Sequence, residues 1–385
     1  MQKDWRLSDN SKGTWHHFAM KVLISRKDLR DTASGVPKKV LQELKFFKSL
    51  GHDSYAIAET MNAPMVQEFQ GIPVKTLRWP ISGYFRRRFY QMQVDRWIKK
   101  HRPQLVVGHG DILHQDILYI HNCVHLAHEL VEKKPLPSEH EVGKIHTAIL
   151  TQGTFKLLVC NSEMMKQDLV KRFKLDPAKV VVIYPEVNLS KFYAEDPEGI
   201  KRESRMRLGI PQDAFVFGLV TSGNYKKRNL GMLIEAFKEV QARHPEAYLF
   251  VGGGNVDQKF KDMISARVTF APTLMDVKNY FYLLDAFVLP AHIEEFGRSV
   301  LEAMYCGKPA IATQTVGCSE ILEGRGRELI LDEISKQELV AKMERVFESG
   351  FYQEVKKINI ETAKKYSADS QNSRLEAVLR KHRII

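Results

Sequence analysis

Residues 285–313 read DAFVLPAHIEEFGRSVLEAMYCGKPAIAT, and this stretch decides the fold. Its apolar run Ala286–Pro290 predicts a buried strand, and Gly297 predicts a turn. The pattern of Ser299–Cys306 then predicts a helix, and Pro309–Thr313 predicts a second buried strand. A strand, a helix and a strand in this order are typical of the repeating unit of a parallel sheet.

Two glutamates flank the predicted turn. Glu294 lies in the loop after the first strand, and Glu302 lies about one turn inside the helix. A helix that begins at a glycine binds phosphate oxygens readily, because its first backbone N–H groups lack partners and its dipole favours an anion. Two carboxylates beside such an anion site make sense if the ligand also carries sugar hydroxyls, which an ionised carboxylate can accept.

The same alternation of short apolar runs and helical patterns extends along almost the whole chain. It predicts an α/β fold of parallel sheets with helices on both faces. The predicted strands are Lys21–Ser25, Leu105–Gly108, Ile117–His121, Lys156–Cys160, Val180–Tyr184, Phe215–Val220, Tyr248–Gly252, Val268–Phe270, Ala286–Pro290, Pro309–Thr313 and Leu329–Leu331. The predicted helices include Val36–Leu50, Glu163–Phe173, Leu230–Val240 and Ser299–Cys306. Ser162 is expected to cap a helix, and Gly209 with Pro211 is expected to end one. The polar stretch 185–213 separates the two strand series, so we expect the domain boundary there.

Length and composition limit the class of protein. A chain of 385 residues is long enough for two domains. No run approaches the ~18 apolar residues of a spanning helix, so any membrane contact is expected to be peripheral. Residues 1–19 contain no apolar stretch and are interpreted as an extension before the first strand, not as a secretory signal. The four widely spaced cysteines favour a reducing cytoplasm over a disulfide or zinc framework.

The net charge of +12 is concentrated near the N-terminus, since residues 1–104 hold 20 Lys and Arg against 9 Asp and Glu. Within this part, residues 78–102 interleave cations with aromatic rings. They are Arg78, Trp79, Tyr84, Phe85, Arg86, Arg87, Arg88, Phe89, Tyr90, Arg96, Trp97, Lys99, Lys100 and Arg102. Two interpretations remain open with equal weight: an amphipathic helix with a solvated basic face, or a surface for anionic lipid or glycan. Nucleic acid is disfavoured because the stripe belongs to no recognisable nucleic-acid module.

The E-x7-E spacing of Glu294 and Glu302, the Phe296-Gly297 turn and the LEAM…GKP run resemble the family-four retaining glycosyltransferases of the GT-B fold. The resemblance covers most of the chain from Met20. It implies two doubly wound, Rossmann-like domains that face each other across a cleft. The implied parts are an extension (1–19), an acceptor-binding domain (20–187), a nucleotide-sugar-binding domain (188–365) and a C-terminal helix (366–385) that returns to the first domain.

The resemblance also implies roles for individual residues. Glu294 would bind the donor-sugar hydroxyls and the charge that develops at the anomeric centre, and Glu302 would hold the nucleotide ribose. The donor-binding residues would be Gly35, Lys227, Arg228, Phe296, Gly297, Arg298 and Glu302. Lys227 and Arg228 would clamp the diphosphate, while Lys226 is expected to be a solvated neighbour.

Two first-half residues are also carried over from the family. His121 is placed at the sugar site as a catalytic residue, with ordinary strand-end packing as its alternative, and Asp111 is placed among acceptor-side polar groups. His109, His114, His125 and His128 lie nearby, but only His121 and His125 have helix-like ligand spacing, so no metal site is expected.

Several positions depart from the family pattern. Glu295 stands where the family usually has glycine, and Arg298 stands where it often has leucine. Arg298 is a candidate supplement to the diphosphate clamp. Ser222-Gly223 replaces the usual arginine before the clamp lysine, and Asn188 stands where aspartate is common.

The expected function is a retaining hexosyltransferase that uses a nucleotide-diphosphate sugar, a UDP-sugar in preference to a GDP-sugar. No D-x-D triplet occurs, so the reaction is expected to need no metal and no cofactor. The expected acceptor is a membrane-associated bacterial-type glycan such as lipopolysaccharide core or a lipid-linked oligosaccharide, which implies a cytoplasmic enzyme at the inner face of the plasma membrane. The alternatives are another GT-B enzyme, a disaccharide phosphorylase or a sugar-nucleotide epimerase, and a non-catalytic glycan- or membrane-binding protein.

Overall fold

The computed structural model describes residues 19–31, 35–80, 83–263, 267–272 and 276–385. The predicted N-terminal extension therefore lies, except for its last residue, outside the described residues. By its internal contacts the chain divides into two compact units, Met1–Gln115 and Asp116–Ile385. The limits expected for the functional domains, at residues 187 and 365, stay a prediction.

The first unit is a parallel sheet with helices. Its strands are β1 (Lys21–Ser25), β2 (Asp28–Leu29), β3 (Asp53–Ala58), β4 (Thr60–Met61), β5 (Ile72–Lys75) and β6 (Leu105–Gly108). Its helices are α1 (Gly35–Ser49), α2 (Ala63–Glu68) and α3 (Tyr84–His101). Four strands pair in parallel in the order β5-β3-β1-β6, and β2 pairs with β4. Strand β1 is buried along Val22–Ser25, with β3 and β6 paired at its two edges and helices packed on the sheet.

The second unit contains the remaining elements. Its strands are β7 (Ile117–Tyr119), β8 (Leu157–Cys160), β9 (Val180–Val182), β10 (Phe215–Thr221), β11 (Ala247–Gly253), β12 (Val268–Ala271), β13 (Ala286–Leu289), β14 (Ala310–Thr313) and β15 (Ile330–Leu331). Its helices are α4 (Val124–Glu132), α5 (Glu141–Gln152), α6 (Glu163–Phe173), α7 (Leu189–Phe192), α8 (Pro197–Arg207), α9 (Leu230–Arg243), α10 (Gln258–Lys261), α11 (Lys278–Leu283), α12 (Arg298–Tyr305), α13 (Lys336–Arg345), α14 (Ser349–Lys364) and α15 (Ala368–Lys381). Short 3₁₀ turns lie at Pro177–Lys179, Gly317–Ile321 and Gly324–Leu329.

The strand order of the second unit determines where a ligand can bind. Strands β7, β8 and β9 pair in parallel, and six further strands form a sheet in the order β12-β11-β10-β13-β14-β15. From β10 the chain first builds outward through β11 and β12, and then returns to β13 on the other side of β10. Neighbouring strands whose connections leave in opposite directions open a crevice at their carboxyl ends. The loops after β10 and β13 therefore meet at this switch point.

A buried ion cluster fixes the start of β13. The carboxylate of Asp285 accepts hydrogen bonds from Arg205 Nη2, Lys201 Nζ and the backbone N–H of Val216, each at 2.7 Å. Burial alone would raise the pKa of Asp285, but the attraction of Arg205 and Lys201 outweighs it and lowers that pKa. Removing the carboxylate would leave a buried guanidinium uncompensated, at a cost of about 3–5 kcal/mol.

The predictions of fold class and local signals are confirmed. Both units are parallel α/β structures, and Ser162 Oγ accepts the backbone N–H of Met165 at the start of α6. Helix α8 ends at Arg207, and Gly209 follows with a φ of 68°. Four strands of the first unit, β2, β3, β4 and β5, were not predicted.

Candidate active site

Two ion pairs lie where the loops after β10 and β13 meet. Arg228 Nη2 lies 3.1 Å from Glu294 Oε2, and Lys227 Nζ lies 2.7 Å from Glu295 Oε2. The side chains are 8–18% exposed, so water screens these charges only in part. Both predicted clamp residues therefore lie within contact distance of the acidic loop.

The loop after β10 is held in place by its own hydrogen bonds. The backbone N–H of Lys227 donates to Asn224 Oδ1 at 3.2 Å, and Arg228 Nη1 donates to the carbonyl of Gly223 at 2.6 Å. Gly223 and Asn224 have φ values of 124° and 51°, which residues of these two types tolerate better than most. The backbone N–H of His292 donates to the carbonyl of Lys227 at 2.9 Å, which joins the two loops. The clamp side chains thus start from a fixed backbone.

Glu294 is anchored through its backbone, so its carboxylate is directed by the fold. Its N–H donates to the carbonyl of Thr315 at 3.0 Å, and its carbonyl accepts the N–H of Gly317 at 2.9 Å. Burial raises the pKa of Glu294, while Arg228 and Lys227 act in the opposite direction. Although Arg228 lies within ion-pair distance, Glu294 Oε2 accepts no well-aligned hydrogen bond from the described residues. The carboxylate therefore keeps acceptor capacity for a hydroxyl.

Glu295 makes two contacts that were not predicted from the sequence. One carboxylate oxygen accepts from Lys227 Nζ, and the other accepts the backbone N–H of Cys123 at 3.1 Å. Cys123 lies two residues after His121, just before α4. Glu295 therefore connects the loop of His121 to the clamp lysine. The available signal was the charged residue at a position where the resembled family usually has glycine.

Gly297 allows α12 to begin directly beside the ion pairs. Its φ is 88°, and an added Cβ would lie 3.0 Å from Val316 Cγ1. Its carbonyl accepts the N–H of Val300 at 2.9 Å, which starts the helix. Phe296 is buried with its ring near that of Tyr184, so only its backbone is available to a ligand.

The other predicted residues of this segment lie along α12. Arg298 and Glu302 are four residues apart and so share a face of the helix. Arg298 Nη2 lies 3.5 Å from Glu186 Oε1, a loose pair that leaves the guanidinium partly exposed. Their roles toward the diphosphate and the ribose stay predictions.

His121 lies two residues beyond the end of β7, which is shorter than predicted. Its ring is parallel to that of Tyr119, with an angle of 7° between the planes. It is half-buried, in keeping with a residue at a strand end. Lys226, predicted to be a solvated neighbour, pairs at the surface with Glu132 at 2.6 Å.

Gly35 and Asp111 lie in the first unit. Gly35 is the exposed first residue of α1, and residues 32–34 before it lie outside the described residues. Asp111 accepts hydrogen bonds from Arg26, from Arg87 and from the backbone N–H of Lys27. Its carboxylate is therefore surrounded by donors.

A metal-ligand cluster, a disulfide and a membrane-spanning helix are all absent from the described part of the chain. Its His, Cys, Asp and Glu side chains form no group of three or more that could hold a metal ion. The four cysteines are buried and free. Within the same described ranges, no helix has the length and apolar character needed to cross a membrane.

Comparisons with known proteins point to glycosyltransferases. Residues 33–191 match the family model "Glycosyltransferase Family 4", and residues 200–366 match "Glycosyl transferases group 1". Both models describe glycosyltransferases, and the two matches together span most of the chain. WaaG, described as a glycosyltransferase involved in lipopolysaccharide biosynthesis, has a similar structure with a TM-score of 0.74, 17% identity and coverage of 93% of this chain and 99% of WaaG. HepE from Anabaena in complex with UDP and glucose gives a TM-score of 0.72 at 15% identity, with 94% and 99% of the two chains covered.

Similar curated proteins include D-inositol 3-phosphate glycosyltransferases. The protein from Catenulispora acidiphila is 26% identical over 258 residues, which are 58% of this chain and 59% of that protein. The protein from Arthrobacter sp. is 29% identical over 207 residues, which are 50% and 47% of the two chains. The chain thus spans about half the length of these curated relatives.

Proposed function

We propose that the protein is a retaining, metal-independent hexosyltransferase that moves a hexose from a UDP-sugar to a membrane-associated bacterial-type glycan, such as lipopolysaccharide core or a lipid-linked oligosaccharide. The observation that carries the proposal is the pairing of two cations, Lys227 and Arg228, with two carboxylates, Glu294 and Glu295, beside a helix that begins at Gly297. Cations and a helix start suit a diphosphate, and carboxylates suit sugar hydroxyls.

The proposed reaction breaks the bond between the anomeric carbon of the sugar and the diphosphate and forms a bond to the acceptor oxygen on the same face. The acceptor hydroxyl proton passes to the leaving phosphate oxygen, so no protein nucleophile or base is required. Lys227, Arg228 and the first N–H groups of α12 stabilise the charge that grows on the leaving UDP. The carboxylate of Glu294 accepts sugar hydroxyls and stabilises positive charge at the anomeric carbon, and His121 is the second residue assigned to the sugar site.

The assignment of UDP rests on analogy with HepE, whose structures contain UDP. The acceptor assignment rests on the outer face of α3. Phe85 is 78% exposed and Met92 is 37% exposed, and with Arg88, Arg96 and Lys99 they line a groove of about 720 Å³. These residues recur at three- and four-residue spacing, so they form one basic and aromatic face, as interfacial helices do.

The chemistry is tested by incubating the purified chain with a panel of sugar nucleotides and an acceptor extract, and measuring nucleotide release and the anomeric configuration of the product. Wild type is expected to release UDP in the presence of EDTA, and the transferred sugar is expected to keep its anomeric configuration in the product. Glu294→Ala is expected to slow release about 100-fold or more, as loss of a group that stabilises transition-state charge does. Lys226→Ala is the matched control and should match wild type. Release that is equal in Glu294→Ala, or that requires a divalent metal, would contradict the proposal.

A further inference from the structure

A second charged cluster lies at the carboxyl edge of the sheet in the first unit. Arg26 and Lys27 follow β1, Glu59 follows β3, and Asp111 lies three residues after β6. Arg86 and Arg87 add two cations from the first turn of α3. The carboxyl edge of a parallel sheet is where open α/β folds bind their ligands.

The two carboxylates of this cluster are already compensated. Asp111 accepts from Arg26 Nη1 at 2.9 Å and from Arg87 Nη1 at 3.0 Å, and Glu59 lies 2.7 Å from Arg86 Nη2. The carboxylates are almost fully buried, and the three guanidiniums are 16–27% exposed. Four cations therefore face two anions in a largely desolvated place.

Lys27 is the cation of this cluster that takes part in none of these ion pairs. Its backbone N–H donates to Asp111, but its ammonium lies within ion-pair distance of no carboxylate among the described residues. Burial and the positive charges of Arg87 and Arg86 lower the pKa of Lys27, while the carboxylates of Asp111 and Glu59 act in the opposite direction. Arg26 Nε is also buried without a hydrogen-bond partner in the described structure. The cluster thus offers unused N–H donors and two positive charges in excess.

We propose that this cluster binds a phosphate group of the acceptor, with Lys27 as its principal ligand and Arg26 and Arg87 beside it. The proposal rests on the proposed transferase function, because it assigns the bound phosphate to the molecule that receives the sugar. A dianionic phosphate matches the excess charge of two, and its oxygens accept from several N–H donors at once. A monoanionic carboxylate would leave one buried positive charge uncompensated.

The test measures phosphate binding by isothermal titration calorimetry of the full chain. Saturating UDP is present, so that the proposed donor site is occupied, and inorganic phosphate is the titrant. Wild type and Lys75→Gln, which removes an exposed lysine on β5, are expected to bind phosphate equally. Lys27→Gln is expected to weaken binding about tenfold or more, as loss of a charge-assisted contact does. Equal affinity of Lys27→Gln and wild type, or no binding to wild type, would overturn the proposal.

A melting experiment separates a ligand-binding lysine from a structural one. Without phosphate, Lys27→Gln is expected to melt at or above the wild-type temperature, since it removes a desolvated cation that forms no ion pair. With phosphate, wild type should gain more stability than Lys27→Gln. A lower melting temperature of the free variant would indicate a structural role and contradict the proposal.

A third arm distinguishes the source of the phosphate. Lys27-dependent sedimentation with phosphatidylcholine vesicles that contain phosphatidic acid, in addition to the Lys27-dependent response to inorganic phosphate, would assign the bound phosphate to a lipid, and no sedimentation would assign it to a water-soluble acceptor. If UDP fails to bind while Lys27-dependent phosphate binding persists, the donor assignment fails and the phosphate site stands.

Discussion

Lys227 Nζ lies 2.7 Å from the carboxylate of Glu295, so the clamp lysine carries its own counter-charge before any donor binds. The resembled family usually has glycine at this position, which offers no such partner. The pair is mostly buried, so its attraction is only partly screened by water. A donor diphosphate that binds Lys227, as we propose, would have to share the lysine with Glu295 or displace Glu295.

The first prediction concerns Glu295→Gln. The amide oxygen can still accept the N–H of Cys123, but the negative charge beside Lys227 is lost. UDP is expected to bind several-fold more tightly, because it no longer has to displace the Lys227–Glu295 ion pair. A partly buried ion pair contributes about 1 kcal/mol or more. Calorimetric titration of the two proteins with UDP measures the difference. Equal or weaker binding to Glu295→Gln would contradict the interpretation.

Glu295→Ala separates the two contacts of this side chain. It releases Lys227, as the glutamine variant does, but it also removes the acceptor for Cys123 and so frees the loop of His121. UDP binding is expected to tighten as in Glu295→Gln, while kcat falls below that of the glutamine variant. Steady-state kinetics that give the same kcat for both variants would show that the contact with Cys123 does not position His121.

A second prediction concerns the close approach of Gly297, at the start of α12, to Val316. Gly297 and Gly51 have nearly the same φ, 88° and 83°, but an added Cβ meets Val316 Cγ1 at 3.0 Å only at Gly297. Alanine at either position is expected to cost about 1–2 kcal/mol of backbone strain. Gly297→Ala should cost about 1 kcal/mol more, as a typical overpacked site does. Urea unfolding of the two variants measures both values, and equal losses would show that Val316 moves aside freely.

A third prediction follows from the buried Lys308 in the GKP run. Burial lowers its pKa to about 8 from an ordinary value of 10.5. Between these pH values the unfolded chain holds the proton and the folded chain releases it, so this group makes the folded state more stable as pH rises from 8 to 10.5. Wild type is expected to gain about 2 kcal/mol relative to Lys308→Met between pH 7 and pH 10. Denaturant titrations at both pH values measure the change, and a pH-independent difference would contradict the lowered pKa.

The sequence identified the second unit more fully than the first for a physical reason. Strands such as β10 and β13 are buried on both faces, so they appear as continuous apolar runs. Strand β5 contains a proline and has a half-exposed pattern, and β2 and β4 have two residues each, so periodicity could not reveal them.

The candidate site shows the same limit. Lys227, Arg228 and Glu294 were predictable because loops after adjacent parallel strands meet. The role of Glu295 was not, because its partner Cys123 is 172 residues away in sequence and contributes only a backbone N–H. The sequence also could not show that the arginines of the basic stripe have different surroundings. Arg86 and Arg87 pair with buried carboxylates, whereas Arg88 lines the groove.

The last prediction uses this division to test membrane contact. Arg88→Gln is expected to weaken sedimentation with phosphatidylglycerol vesicles about fivefold, since one cation near an anionic surface is worth about 1 kcal/mol. Adding Phe85→Ser should weaken it further, because the ring is 78% exposed and available to the interface. Lys48→Gln is the control: it removes the same charge from a lysine paired with Asp53 and should leave binding nearly unchanged. Arg86→Gln should instead lower the free energy of unfolding by about 3 kcal/mol, because Glu59 would be left buried without its partner. Vesicle binding that falls equally in Arg88→Gln and Lys48→Gln would mean that net charge alone drives the attraction, and the groove on α3 would then no longer support a membrane-associated acceptor.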